Sequence, residues 1–189
     1  QETTSSTTTT IKSSTTESTE TTEDSVVEIN QGIDWSACYG IYECGDLQVP
    51  LSYTDIGSGS ISIALVRLPA TSEPYLGPLL MNPGGPGGSG VELVGEWADI
   101  WEMVFPNFDV IGFDPRGVGS SSQVSCPNDP DSDENWLQED EEDTTELFIE
   151  ATEYVEECLD MSGELFYHIG TNNVARDMDS THAALGAEQ

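Results

Sequence analysis

The sequence predicts an α/β fold, a mostly parallel sheet with flanking helices entered through an antiparallel hairpin. Three observations carry this. Two early segments alternate apolar and polar residues, the period of a half-buried strand. Two later segments, 77–82 and 108–114, are short apolar runs bounded by turn residues. Between those runs the apolar residues recur at helical spacing.

Taken in order, DLQVPLSY (46–53) alternates Leu47, Val49, Leu51 and Tyr53, and Pro50 within it suits an edge strand. DIGSGS (55–60) is a turn. ISIALVRLPA (61–70) completes the hairpin. GPLLMN (77–82) reads as a strand buried on both faces. Leu93, Val94, Trp97, Ile100, Trp101 and Val104 then mark one helix, stopped by Pro106 and Asn107. FDVIGFD (108–114) is the next buried strand, and the intervening helix makes the last two strands parallel. After a charged excursion at 126–143, Leu147, Ala151, Tyr154, Val155, Cys158 and Leu159 define an amphipathic helix. A final helix over 171–186 aligns Val174, Met178 and Leu185, with Thr171 as its expected cap and Gly186 as its terminator. The alternation of elements calls for a further strand after it.

A length of 189 residues suffices for one domain with a real core. Residues 1–25 are almost wholly Thr, Ser and acid, and cannot bury enough apolar surface to offset their ordering entropy. They read as a disordered stalk, with an ordinary flexible leader as the alternative, and order is expected from residue 26 onward. The stalk composition suits O-glycosylation and a cell-surface tether. A start at Gln1, with no basic-then-apolar leader, reads as a processed, exported product.

The net charge of -32, from 36 acidic against 4 basic residues, excludes nucleic acid as a partner and disfavours an anionic membrane surface. No apolar stretch approaches the roughly 20 residues that span a bilayer. The four cysteines, in an exported chain, predict two disulfides. Proximity in sequence favours Cys38–Cys44 and Cys126–Cys158 among the three pairings. Widely spaced cysteines and only two histidines, His168 and His182, give no metal-site pattern.

The segment LLMNPGGPGGSG (79–90) runs from a strand into a loop with five glycines, two prolines and no charge. Ligands of open α/β sheets bind at the carboxyl ends of strands. Glycines there let backbone N–H groups face a ligand with no Cβ in the way, and such groups stabilise a developing oxyanion. A phosphate cradle is the competing use, but the loop has neither a Lys-Ser/Thr ending nor GxGxxG spacing. A tight turn without a ligand is the plain alternative.

FDVIGFDPRGVGSSS (108–122) together with NPGGPGGSG resembles the α/β-hydrolase fold. More narrowly it is similar to the secreted serine exopeptidases of the proline iminopeptidase and tripeptidyl aminopeptidase family. The resemblance extends to WSACYGIYECGDLQVPLSY (35–53), VRLPA (66–70) and HIGTNNVARDMDSTHAALG (168–186), and so covers residues 35–189. It departs at Gly45, where the family often has Ala, and in the acidic 128–143 segment. It implies an N-terminal portion of that fold, residues 26–189, truncated before the nucleophile elbow. It implies a peptide substrate for the complete protein, and no cofactor or metal.

The same resemblance assigns roles. Gly85, with Gly84 next, is the candidate oxyanion-hole donor. Asp114 and Arg116 correspond to a structural turn after the fourth strand, with Arg116 bonding backbone or carboxylate. Arg176 and Asp177 correspond to a helix where ion pairing is the expected role. His168 is expected to be a support residue and His182 to lie on a helix face.

No G-x-S-x-G occurs in the 189 residues; GGSGV at 87–91 ends in Val91 and follows the wrong strand. The family places that elbow immediately after ALG, with the acid and the base further on. Two readings from different classes stay open here. One is the N-terminal part of an exported serine hydrolase, an aminopeptidase acting through an acyl-enzyme and itself lacking the triad. The other is a non-catalytic acidic surface module, or a subunit completed by a second chain. The family topology also suggests that FDVIGFD lacks a ladder partner on one side.

Overall fold

The computed structural model describes residues 32–127 and 144–186. The Thr/Ser stalk, the boundary at residue 26 and the acidic run at 128–143 lie outside the described residues.

Five strands form one mixed sheet: β1 (Ser36–Cys38), β2 (Tyr42–Pro50), β3 (Ser60–Leu68), β4 (Gly77–Met81) and β5 (Phe108–Phe113). Their spatial order is β1-β2-β3-β5-β4. β1/β2, β2/β3 and β3/β5 are antiparallel, and β4/β5 is parallel. β2, β4 and β5 therefore run in one direction. The helices are α1 (Gly90–Glu96), α2 (Ala98–Val104), α3 (Thr144–Ser162) and α4 (Thr171–Ala184), with a 3-10 segment at Gly163–His168.

Helices cover both faces, and adjacent residues of β5 part accordingly. Ile111 and Phe113 join Leu47, Val49, Ile61, Ile63 and Leu65 on the face covered by Val174 and Met178 of α4 and by Leu185 just after it. Val110 joins Tyr42, Val66, Leu68 and Val94 on the face covered by α1 and α2 through Val91, Trp101 and Phe105. α1 lies against the β5 backbone. A Cβ on Gly90 would collide with the Phe113 backbone, and one on Gly112 with the Gly90 carbonyl. Tyr42 adds a polar tie, donating from its hydroxyl to the Gly95 carbonyl at 2.9 Å. Burial, with the carboxylates of Glu102 and Asp99 next, raises its pKa.

Several expectations are revised. A short strand, β1, precedes the hairpin and pairs with β2 only at Tyr42–Cys44. Beyond Cys44 that side of β2 has no described neighbour, which suits Pro50 and its missing N–H. β4 is not buried on both faces; each of its five residues is only part-buried, and among the described strands it pairs with β5 alone. An apolar run reports burial, not which side of the ladder is occupied. β5 is paired on both sides, with β3 over Val110–Phe113 and with β4 over Phe108–Gly112. Among the described residues the open ladder side at this end of the sheet therefore belongs to β4, not to FDVIGFD. The single helix expected over 93–104 is two, broken at Trp97 (φ -120°, ψ 31°). A one-residue break barely alters the apolar spacing, so periodicity does not reveal it. Thr171 is not the cap of α4. Gly170 holds that position with no side-chain cap bond, and Thr171 is the first helical residue.

Two disulfides are present. Cys38–Cys44 closes the β1–β2 hairpin and Cys126–Cys158 ties the segment after β5 to α3. No free cysteine occurs among the described residues. No described helix is long and apolar enough to cross a membrane.

Candidate active site

The glycine loop leaves the carboxyl end of β4 and enters α1. Gly84, Gly85 and Gly87 all have positive φ, at 75°, 128° and 89°. A side chain at Gly85 would meet the Gly87 and Gly88 nitrogens at 2.9 and 3.0 Å, so the crossing tolerates no Cβ. The loop is anchored at its start by Asn82, whose Oδ1 accepts from the Gly84 N–H at 3.0 Å. It closes on itself where the Gly88 N–H donates to the Gly84 carbonyl at 3.2 Å. Gly84 has thus committed its N–H, whereas the Gly85 N–H has no protein acceptor among the described residues. Of the two oxyanion candidates, Gly85 is the one with a donor to offer.

At its far end the loop is held by Ser89. Its Oγ accepts from the Glu92 N–H at 3.0 Å, capping α1, and donates to Asp114 Oδ1 at 2.6 Å. Asp114 is buried at the end of β5 and also accepts from the N–H groups of Val91 (3.1 Å) and Ser120 (2.7 Å). Ser121 completes the turn, donating to the Asp114 carbonyl at 2.6 Å while accepting from the Ala64 N–H at 2.8 Å.

Arg116 and Asp177 form a second, separate cluster. Both side chains are fully buried, and the guanidinium Nε and Nη2 each lie 2.6 Å from a different carboxylate oxygen. Its remaining hydrogens go to the carbonyls of Leu51, Pro50 and His168 at 2.8, 3.1 and 3.1 Å. Tyr53 shares the carboxylate, donating to Asp177 Oδ1 at 2.8 Å and lying 3.1 Å from Ser180 Oγ. Burial is the main force that pushes the Tyr53 hydroxyl up to about 12. His168 contributes its carbonyl to this cluster, and His182 sits part-buried in the last turn of α4.

Arg176 is outside the cluster. It is exposed, forms no ion pair among the described residues, and packs over the Tyr53 ring at 5.5 Å. It rims a surface cavity of about 430 Å³ shared with Ser52, Thr54, His168 and Asn173. Sequence reasoning missed Ser89, Asn82 and Tyr53. Ser89 had a signal, since S-G-V-E at 89–92 has capping-box spacing at a helix start. Tyr53 had none, because its partners Asp177 and Ser180 lie more than 120 residues away.

The chain matches known serine hydrolases. It is 36% identical over 178 residues to the serine protease Hip1 of Mycobacterium tuberculosis, covering 86% of this chain and 34% of that protein. It is 36% identical over 174 residues to the tripeptidyl aminopeptidase of Streptomyces lividans, covering 84% and 32%. It is 37% identical over 150 residues to carboxylesterase B of Mycobacterium tuberculosis, covering 75% and 28%. No family model matches. The fold and these relatives define the class as α/β-hydrolase-like. The chain belongs to the serine peptidase family of that fold and matches its N-terminal portion. It spans about a third of the length of the curated relatives it matches.

Proposed function

We propose that this chain is the N-terminal part of an exported serine hydrolase, an aminopeptidase that works through an acyl-enzyme. The observation that carries the reading is the uncommitted Gly85 N–H, on a loop stripped of side chains at the carboxyl end of β4. A protease, an aminopeptidase and an esterase among the relatives share one chemical demand. Attack on an acyl carbon by a serine oxygen places negative charge on the carbonyl oxygen, and fixed N–H donors stabilise it. In this reading Gly85 supplies one donor. The serine, the acid and the base come from sequence beyond these 189 residues, in which no G-x-S-x-G occurs. A peptide is the proposed substrate. Two disulfides favour an oxidising, extracytoplasmic setting, and the Thr/Ser-rich start suits a tether.

A fluorophosphonate probe tests this reading. The isolated chain is expected to take no label, and the complete protein one equivalent on a serine outside this chain. A stoichiometric adduct on any serine of this chain would place the nucleophile here and overturn the assignment. A complete protein that takes no label would favour the non-catalytic module.

A further inference from the structure

Asp114 holds more than its own turn. It is a carboxylate at 1% exposure, and among the described residues no cation faces it. Arg116, two residues on, spends its guanidinium on Asp177 and three carbonyls. Burying a carboxylate is costly unless it is bonded. Here three donors converge on it: the Ser89 hydroxyl, the Val91 N–H and the Ser120 N–H. Two of them reach Oδ1 and one reaches Oδ2, so both carboxyl oxygens are engaged. The turn that closes over it is shaped for the carboxylate, since a Cβ on Gly119 would collide with Asp114 Oδ2.

Two of these donors, Ser89 and Val91, flank the point where the glycine loop becomes α1. The stretch from Gly84 to Gly88 has three positive-φ glycines around one proline, Pro86, and no polar side chain of its own to bond it to the rest of the fold. Its orientation is therefore set by its anchors, Asn82 at one end and Ser89 at the other.

We propose that Asp114 is a positioning residue for the glycine loop, acting through Ser89 to fix where the Gly85 N–H points. This rests on the oxyanion reading of that loop. Misdirecting a donor by a fraction of an ångström weakens its bond to an oxyanion while leaving the substrate contacts elsewhere in place. The signature is a fall in kcat with KM little changed.

The test uses the complete enzyme that carries this chain, with p-nitrophenyl acetate as substrate and active sites counted by fluorophosphonate titration. Asp114→Asn, Asp114→Ala, Ser89→Ala and Gly85→Ala are compared with the parent. Asp114→Ala is expected to lower kcat per titrated site by about 10- to 100-fold. Asp114→Asn, which keeps one acceptor oxygen, is expected to lose less. Ser89→Ala retains Asp114 and its two N–H bonds, so it reports even where the Asp114 variants fail to fold. It should lower kcat as well, and adding Asp114→Asn to it should cost little further. A purely structural Asp114 would instead reduce the number of titratable sites and leave kcat per site unchanged. Full kcat per site in Ser89→Ala, with Gly85→Ala impaired, would overturn the positioning role and leave the oxyanion reading standing. If Gly85→Ala is also fully active, the oxyanion reading falls and the positioning role with it.

Discussion

The two clusters at the ends of β2 and β4 are built in opposite ways. Both lie where strands of the same direction terminate, so both occupy the sheet edge at which α/β proteins place ligands. At the β2 end, Arg116 and Asp177 are fully buried, and the guanidinium is saturated by one carboxylate and three carbonyls. Nothing is left over to meet a ligand. At the β4 end the loop is exposed, has no charged side chain and, among the described residues, leaves a backbone donor uncommitted. The motif richest in charge is thus the one that holds the fold together. The motif with almost no side chains is the one available for chemistry. Asp114 joins the two styles, a buried carboxylate two of whose three donors, Ser89 and Val91, come from the junction of the loop with α1.

The largest expected effect would break the charged side of this contrast. Asp177→Ala leaves the Arg116 guanidinium buried beside a cavity, and losing one partner of such a pair costs about 3–5 kcal/mol. Denaturant unfolding of the chain and the variant measures it. A loss below about 1 kcal/mol would mean that water or a neighbour replaces the carboxylate, and the cluster would not be the structural clamp described.

A smaller, local effect sharpens the comparison between strands. Among the described residues β5 has ladder partners on both sides, whereas β4 has one. Amide hydrogen exchange in the chain is expected to protect Val110–Phe113 most strongly. The β4 amides turned away from β5 should exchange by local opening. Equal protection along both strands would show that something covers the outer edge of β4, a second copy being the simplest case.

Much of this architecture was legible. Alternation at Leu47, Val49, Ile61 and Ile63 marks the hairpin because one face of each strand packs in a core. The helical spacing between β4 and β5 implies their parallel pairing, because adjacent parallel strands need a long crossover that usually runs through a helix. The order of strands was not legible from pattern. The apolar run shows that Val110 and Ile111 are buried, but β5 reaches its place between β3 and β4 through pairing with β3, some 45 residues earlier. The site divides similarly. A run of glycines points to exposed backbone, because no other residue tolerates the φ of Gly85. Which N–H remains free depends on Asn82 and on ring closure at Gly88, and such bonds follow from the folded loop alone. Arg176 and Asp177 are neighbours in sequence with opposite fates, since successive helical residues point about 100° apart, enough to carry one from the exposed face to the buried one. Asp177 is fully buried, and the ion pairing expected of Arg176 is not found among the described residues.

The smallest effect concerns Tyr53, the neutral member of the charged cluster. Its hydroxyl donates to Asp177, so Tyr53→Phe is expected to lose about 0.5–1.5 kcal/mol at neutral pH. Alkali separates this bond from simple packing. In the unfolded chain a tyrosine ionises near 10, whereas burial, together with the adjacent Asp177 charge, holds the folded Tyr53 proton to about 12. A raised folded pKa means that the stabilisation is complete below pH 10. It declines from there to about 12, because the unfolded chain releases its proton first. Tyr42 and Tyr75 also have raised values, and both proteins share their contribution. The difference in unfolding free energy between the chain and Tyr53→Phe should therefore be constant up to about pH 10 and narrow toward 12. A difference independent of pH across that window would show that Tyr53 ionises as freely in the fold as outside it. The Asp177 carboxylate would then be serving Arg116 alone.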